Sequence, residues 1–317
     1  MRSGKPPRRG KGKPGASARG GRVRPSSAPW EITTHSCDET RPFWARLIIA
    51  GCWDGEASSA ARLLQQLCGE WPQGVRSRIL VACGGFIEFP WPPAATPKAI
   101  GKPSDPAQGA LDLLGNAADR ALAAVLTPDV RERLARHTDA VALGVDSHSS
   151  NSLSKPHVEF SYLVNLPDGP TRRVAKSYPA GCQEWGLVRN PDVADHFVTF
   201  DGQPTLLLQC HDLTAFNPRG NATAKGWRAA MIQRFHDKAR CRQPQVVIHY
   251  PHTAETPRTW SASWNRLCRI AGSAEHYAAA GRFSYNGGCP RGKLEAVRAA
   301  TVRGASIDFV ARVNGRA

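Results

Sequence analysis

The most informative segment is Thr205-Leu206-Leu207-Leu208-Gln209-Cys210-His211-Asp212, an apolar run that ends in a cysteine and turns polar before passing through Asn217-Pro218-Arg219-Gly220. In α/β proteins the carboxyl ends of strands face the crevice where ligands bind. Cys210 is therefore placed as a nucleophile would be. A lone strand-end cysteine can equally be a packing residue, because cysteine is among the most buried residue types. What turns a thiol into a catalyst is help in becoming thiolate, a proton carrier, and a group that holds the developing negative charge. Two other strand ends supply such groups. Glu88 stands at the end of Ile79-Leu80-Val81-Ala82-Cys83-Gly84-Gly85-Phe86-Ile87-Glu88, and Lys176 at the end of Arg172-Arg173-Val174-Ala175-Lys176. Asp212 reads as the anchor of the turn after the cysteine, accepting backbone N–H groups.

The elements that must position these groups follow from hydrophobic patterning. Apolar runs bounded by Gly, Pro and Asp predict strands over 44–52, 78–89, 140–146, 158–165, 193–200, 204–210 and 245–250. Helical spacing predicts helices over 55–68, 111–134, 222–240 and 258–270. Strands alternating with helices indicate an α/β layered domain. Pro167-Asp168-Gly169-Pro170 joins 158–165 to 171–176 as a β-hairpin, because Asp-Gly supplies the required turn. The Pro/Ala/Gly stretch after Pro90 reads as an ordered loop or flap.

Glutamate, lysine and cysteine in that order at successive strand ends resemble the nitrilase superfamily of carbon–nitrogen hydrolases. The local sequence agrees in three places: an apolar strand running into Cys210-His211-Asp212, a lysine after a strand–Asp-Gly–strand hairpin, and Glu184 eight positions beyond Lys176. One departure is that the family's glutamate follows a proline directly, whereas Glu88 follows Ile87. The resemblance covers roughly residues 40–270 and leaves 272–317 unassigned. It implies a four-layered α-β-β-α sandwich in one domain from residue 29, hydrolysis of an amide or, second, a nitrile, no metal or organic cofactor, and a homodimer or larger homo-oligomer. Carried onto this chain, it makes Glu88 the general base, Lys176 the stabiliser of the tetrahedral intermediate and Cys210 the nucleophile, with Glu184 beside them. His211, through its backbone N–H, joins the oxyanion site, and His249 and Trp185 line the substrate pocket. His148, His157 and His252 are further candidates for proton shuttles or substrate contacts, His252 sharing with His249 a place after a strand end. Trp91, Trp185, Trp227 and Trp260 either wall a pocket or cover core.

Composition bounds the alternatives. The 317 residues are 41% hydrophobic and 21% charged, which is globular. Residues 1–28 hold nine basic residues and no acidic one, so of the net +16 only +7 belongs to the other 289 residues. That segment has little to bury and reads as a solvated basic tail. It opens a second class of function, nucleic-acid binding through phosphates, although no aromatic precedes Trp30 to stack on bases. A third class is a catalytically inactive nitrilase-like scaffold. The nine cysteines include no Cys-x-x-Cys pair, which disfavours zinc, and their odd number without a secretory segment points to a reducing cytoplasm. No apolar run reaches the roughly 20 residues of a membrane span. Gly84-Gly85 and Gly287-Gly288 lack phosphate-loop spacing.

Overall fold

The apolar runs do form strands, in two sheets. The computed structural model describes residues 30–36, 39–147, 155–283 and 291–313. The expectations for the tail 1–28, for His148 and for Gly287-Gly288 lie outside the described residues. In chain order the elements begin β1 (Glu31–His35), β2 (Trp44–Ala50), α1 (Ala57–Gly69), β3 (Ser77–Val81) and β4 (Ile87–Phe89). The loop after Pro90 holds a short α2 (Pro97–Ile100) and a miniature hairpin, β5 (Gly101–Lys102) with β6 (Asp105–Pro106). Next come α3 (Ala110–Val125), α4 (Pro128–Ala135), β7 (Thr138–Ser147), β8 (Glu159–Asn165), β9 (Thr171–Ala175), β10 (Phe197–Phe200) and β11 (Gln203–Gln209). The chain continues with α5 (Pro218–Thr223), α6 (Trp227–Arg242), β12 (Val246–Tyr250), α7 (Ser261–Ala271), β13 (His276–Ala279), α8 (Leu294–Ala300), β14 (Val302–Arg303) and β15 (Ser306–Arg312).

The larger sheet runs β1-β15-β2-β3-β7-β8-β9, with β4 also paired to β7, and the smaller runs β10-β11-β12-β13-β14. Alternation along the strands sorts three apolar clusters. Leu47, Ile49, Leu80 and Leu143 of the larger sheet pack with Leu63 of α1 and Leu114 of α3. From the opposite face, Trp44, Ile79, Val81 and Ala142 meet Leu207, Val246 and Ile248 of the smaller sheet. The far side of that sheet, Leu206, Leu208 and Val247, is covered by Phe235 of α6 and Leu267 of α7. The result is a mixed α/β fold.

Several sequence boundaries change. The single strand expected over 78–89 is two, β3 and β4, both parallel to β7 and separated by Ala82–Phe86. Gly85 turns there at φ +62°, and the chain passes so close to β7 that a Cβ on Gly144 would lie 2.5 Å from the Gly84 Cα. The helix expected over 111–134 breaks into α3 and α4, because Pro128 cannot donate within a helix and the Thr127 hydroxyl caps a new start by accepting the Val130 N–H. The first half of 193–200 is a 3-10 turn, Val193–His196. Residues 222–240 contain the end of α5 and most of α6. The hairpin 158–176 forms antiparallel as the Asp-Gly turn predicts.

The largest change concerns 272–317. The described part of this stretch completes both sheets: β13 lies between β12 and β14, and β15 inserts between β1 and β2. Arg46 of β2 grips Asp308 of β15 with two hydrogen bonds of 2.8 and 2.6 Å, both side chains being buried. No described helix is long and apolar enough to cross a membrane.

Candidate active site

A row of ionisable side chains crosses the larger sheet. Register pairs Glu88 of β4 with Asp146 of β7, and Asp146 with Glu159 of β8. The β8–β9 register continues one step past Ala175, where the Lys176 N–H donates to the Glu159 carbonyl at 2.9 Å. Residues in register point to one face, so Glu88, Asp146, Glu159 and Lys176 share it. Three strand spacings, on the order of 14 Å, separate Glu88 from Lys176 along the row, against one for Glu159.

Lys176 is fully buried and paired. Its ammonium donates to Glu159 Oε2 at 2.8 Å and to Gln183 Oε1 at 2.7 Å, and the Gln183 amide donates in turn to Glu159 Oε1. The three side chains close a triangle that satisfies both carboxylate oxygens. Burial alone would raise the Glu159 carboxyl, but the Lys176 charge holds it down at about 2. Burial alone would lower the lysine, and Glu159 together with Cys210 raises it instead. Both groups are therefore charged at neutral pH.

Cys210, 5% exposed, follows β11 on the smaller sheet. Burial pushes the Cys83 thiol up to about 11, and the same force acts at Cys210. There it is outweighed by hydrogen bonds with the His211 and His252 rings, which hold the thiol well below its ordinary value. His252 Nε2 lies 2.6 Å from Asp146 Oδ2. Burial would lower the imidazole, but the Glu159 and Asp146 carboxylates carry it well above its ordinary value. The His252 ring thus links the Cys210 thiol to the Asp146 carboxyl behind it. Glycines make the room: a Cβ on Gly84 would lie 2.7 Å from the Tyr250 carbonyl and 3.4 Å from the His252 ring, and one on Gly85 would lie 3.2 Å from Asp146 Oδ2.

Asp212 ties the lysine and cysteine segments together. Its Oδ1 accepts the Ser177 and Tyr178 N–H groups at 3.0 and 2.7 Å, and its Oδ2 accepts the Gln209 N–H at 3.0 Å. His249, on β12 in register with Leu208 of β11, is buried rather than lining a pocket: its Nε2 reaches the Cys210 carbonyl at 2.9 Å and its Nδ1 the Tyr277 hydroxyl at 3.2 Å. Trp260 stands edge-on to both His249 and His211, with centroids 4.8 and 5.7 Å apart.

The other residues singled out from sequence fall elsewhere. The Glu184 carboxylate accepts from Trp227 Nε1 at 3.1 Å and Arg228 at 3.0 Å, a pairing on the flank of α6, and the neighbour that reaches Lys176 is Gln183. Trp185 is 81% exposed. Glu88 packs its side chain over Gly55, where a Cβ would come within 2.5 Å of its Cγ. Sequence reasoning misses Asp146, Glu159 and Gln183 as site residues. Asp146 had the same signal as Glu88, a carboxylate ending an apolar run. Glu159 and Gln183 had none, because each is recognisable only by its contact with Lys176.

Asp146, Glu159 and His252 each offer one ligand atom, all within 4.8 Å of one another, and could hold a metal ion. Both Glu159 oxygens are already engaged by Lys176 and Gln183, so a cation would have to compete with an ammonium.

No family model matches the chain, and no curated protein does. Solved structures do. An amidase from Nesterenkonia sp. shares 13% identity over 78% of this chain and 80% of its own, with a TM-score of 0.43. A cysteine-to-alanine mutant of the Nesterenkonia AN1 amidase from the nitrilase superfamily shares 12% over the same fractions, with a TM-score of 0.42. A glutamate-to-glutamine mutant of that amidase, showing covalent addition of the acetamide moiety of fluoroacetamide at the active-site cysteine, shares 13%, with a TM-score of 0.44. Among the solved structures this chain resembles is thus an amidase described as of the nitrilase superfamily.

Proposed function

We propose that this protein hydrolyses a non-peptide carbon–nitrogen bond, an amide in the first instance, through a thioester on Cys210. In this reading the succession helices, larger sheet, smaller sheet, helices is the α-β-β-α sandwich expected from sequence. The observation that carries the function is that Asp212 ties the turn bearing the buried Cys210 to the segment bearing the buried Lys176, whose ammonium is held by Glu159 and Gln183.

The Cys210 thiolate attacks the carbonyl carbon, and the carbonyl π pair moves onto oxygen. Lys176, fixed by Glu159 and Gln183, stabilises that oxyanion, because a charge preorganised in a site that excludes water costs no reorganisation as the reaction proceeds. His252 gives its proton to the departing nitrogen as the carbon–nitrogen bond breaks, leaving a thioester and ammonia or an amine. The neutral imidazole then takes a proton from water, whose oxygen attacks the thioester and releases the carboxylic acid with Cys210 again thiolate. Asp146 keeps the ring oriented through both halves. The proton-carrying role expected of Glu88 passes in this reading to His252, and the carboxylate beside the lysine is Glu159.

The test is ammonia release from a panel of small primary amides by the wild-type chain and by Cys210→Ala. The expected result is release by the wild type and a loss of roughly 10³-fold or more in the variant. Undiminished release by a folded Cys210→Ala would overturn the reading.

A further inference from the structure

The oxyanion-binding N–H expected of His211 belongs to the peptide that joins Cys210 to His211. A trans peptide points its C=O and N–H to opposite sides, so whatever fixes the Cys210 carbonyl also aims the His211 N–H. His249 Nε2 lies 2.9 Å from that carbonyl, which can only accept, so Nε2 carries the proton. Nδ1 is then the acceptor for the Tyr277 hydroxyl at 3.2 Å. Tyr277 is buried and held flat against Trp264, with ring centroids 4.0 Å apart at 17°. Burial keeps the His249 ring neutral, its pKa lowered to about 4, and the rings that bond to the Cys210 thiol are those of His211 and His252.

We propose that His249 and Tyr277 are positioning residues that set the oxyanion-binding direction of the His211 N–H. Tyr277 selects the His249 tautomer, His249 holds the Cys210 carbonyl, and the peptide between Cys210 and His211 transmits that orientation to the reacting oxygen. Neither side chain touches the substrate. The inference deepens the thioester reading and rests on it for the identity of the nucleophile. It also gives the C-terminal strand β13, which carries Tyr277, a part in the chemistry.

The test separates attack that develops an oxyanion from attack that does not. Alkylation of Cys210 by iodoacetamide, followed by mass spectrometry of its peptide, needs only the thiolate. Acylation by p-nitrophenyl acetate, followed as a p-nitrophenolate burst, also needs the oxyanion site. For His249→Leu the burst should slow roughly 10²- to 10³-fold, with alkylation within about twofold of wild type. His249→Gln, whose amide N–H can reach the Cys210 carbonyl as Nε2 does, should recover most of the burst. Tyr277→Phe keeps the ring packing and should give a smaller loss, in kcat for amides rather than KM.

A folded His249→Leu with an unchanged burst overturns the proposal. So does a parallel fall in burst and alkylation, which would place the pair's effect on the thiolate, and so does the absence of any burst in the wild type. A wild type that acylates with this pattern but releases nothing from amides overturns the amidase reading and leaves the positioning role standing.

Discussion

Asp212 Oδ1 accepts the Ser177 N–H at 3.0 Å, joining the residue after the site's lysine to the turn that carries its thiol. With the Tyr178 and Gln209 N–H groups also on this carboxylate, one buried side chain holds two segments from different sheets in register. Asp212→Asn replaces an acceptor-only group by one with a single acceptor oxygen, and so leaves buried N–H groups facing a donor. Urea unfolding should show a loss of about 3 kcal/mol. The residual activity of the folded fraction should also fall, because Lys176 and Cys210 are no longer held together.

The buried pair of Lys176 and Glu159 should behave as a unit. Lys176→Met and Glu159→Gln each strand an uncompensated charge and should each cost about 3–5 kcal/mol, whereas the double variant should cost less than the sum. The Glu159 carboxyl is held at about 2 against an ordinary 4.5. Its contribution to stability is therefore fully present above pH 4.5 and is lost as pH falls toward 2. Thermal melts between pH 2 and 7 should show a steeper acid loss for the wild type than for Glu159→Gln.

The hydrogen bonds from His211 and His252 should be visible as a pH profile. Because the Cys210 thiol lies well below its ordinary value of 9.0, site-resolved alkylation by iodoacetamide should reach its plateau at a lower pH than that of an ordinary thiol. His252→Asn removes the imidazolium and should move the rise of that profile upward, toward the behaviour of Cys83, whose pKa burial raises to about 11. A profile unmoved in this variant would mean that His252 does not stabilise the thiolate.

The C-terminal strand should prove indispensable. Truncation after Gly304 removes β15 from between β1 and β2 and leaves Arg46 buried without Asp308. The truncated chain should be unfolded or aggregated by circular dichroism and size exclusion. Asp308→Asn, which keeps the shape but not the charge, should cost about 3–5 kcal/mol.

Much of this was legible in the sequence, for reasons that are local. Continuous apolar runs placed β7, β8, β11 and β12, which are buried on both faces, and helical spacing placed α1 and α7, which each bury one face. Asp-Gly fixed the hairpin that ends at Lys176, and the apolar run ending in Cys210 put the thiol at a strand end. The break of β3 from β4 and the role of β15 were not legible. The first depends on a close passage over Gly144, and the second on pairing across 262 residues of chain with a partner that only folding supplies.

The sequence by itself determined which residue types stand at the strand ends, among them the thiol and the ammonium. Only the tertiary structure decided which groups answer them. Glu159 and Gln183 reach Lys176, and His252 reaches Cys210 with Asp146 behind it, because sheet register aligns residues distant in the chain and burial then makes each charge dependent on its nearest partner. Strand-end position can be read from spacing along one segment, whereas a pKa is set by whatever the rest of the chain brings within a few ångströms.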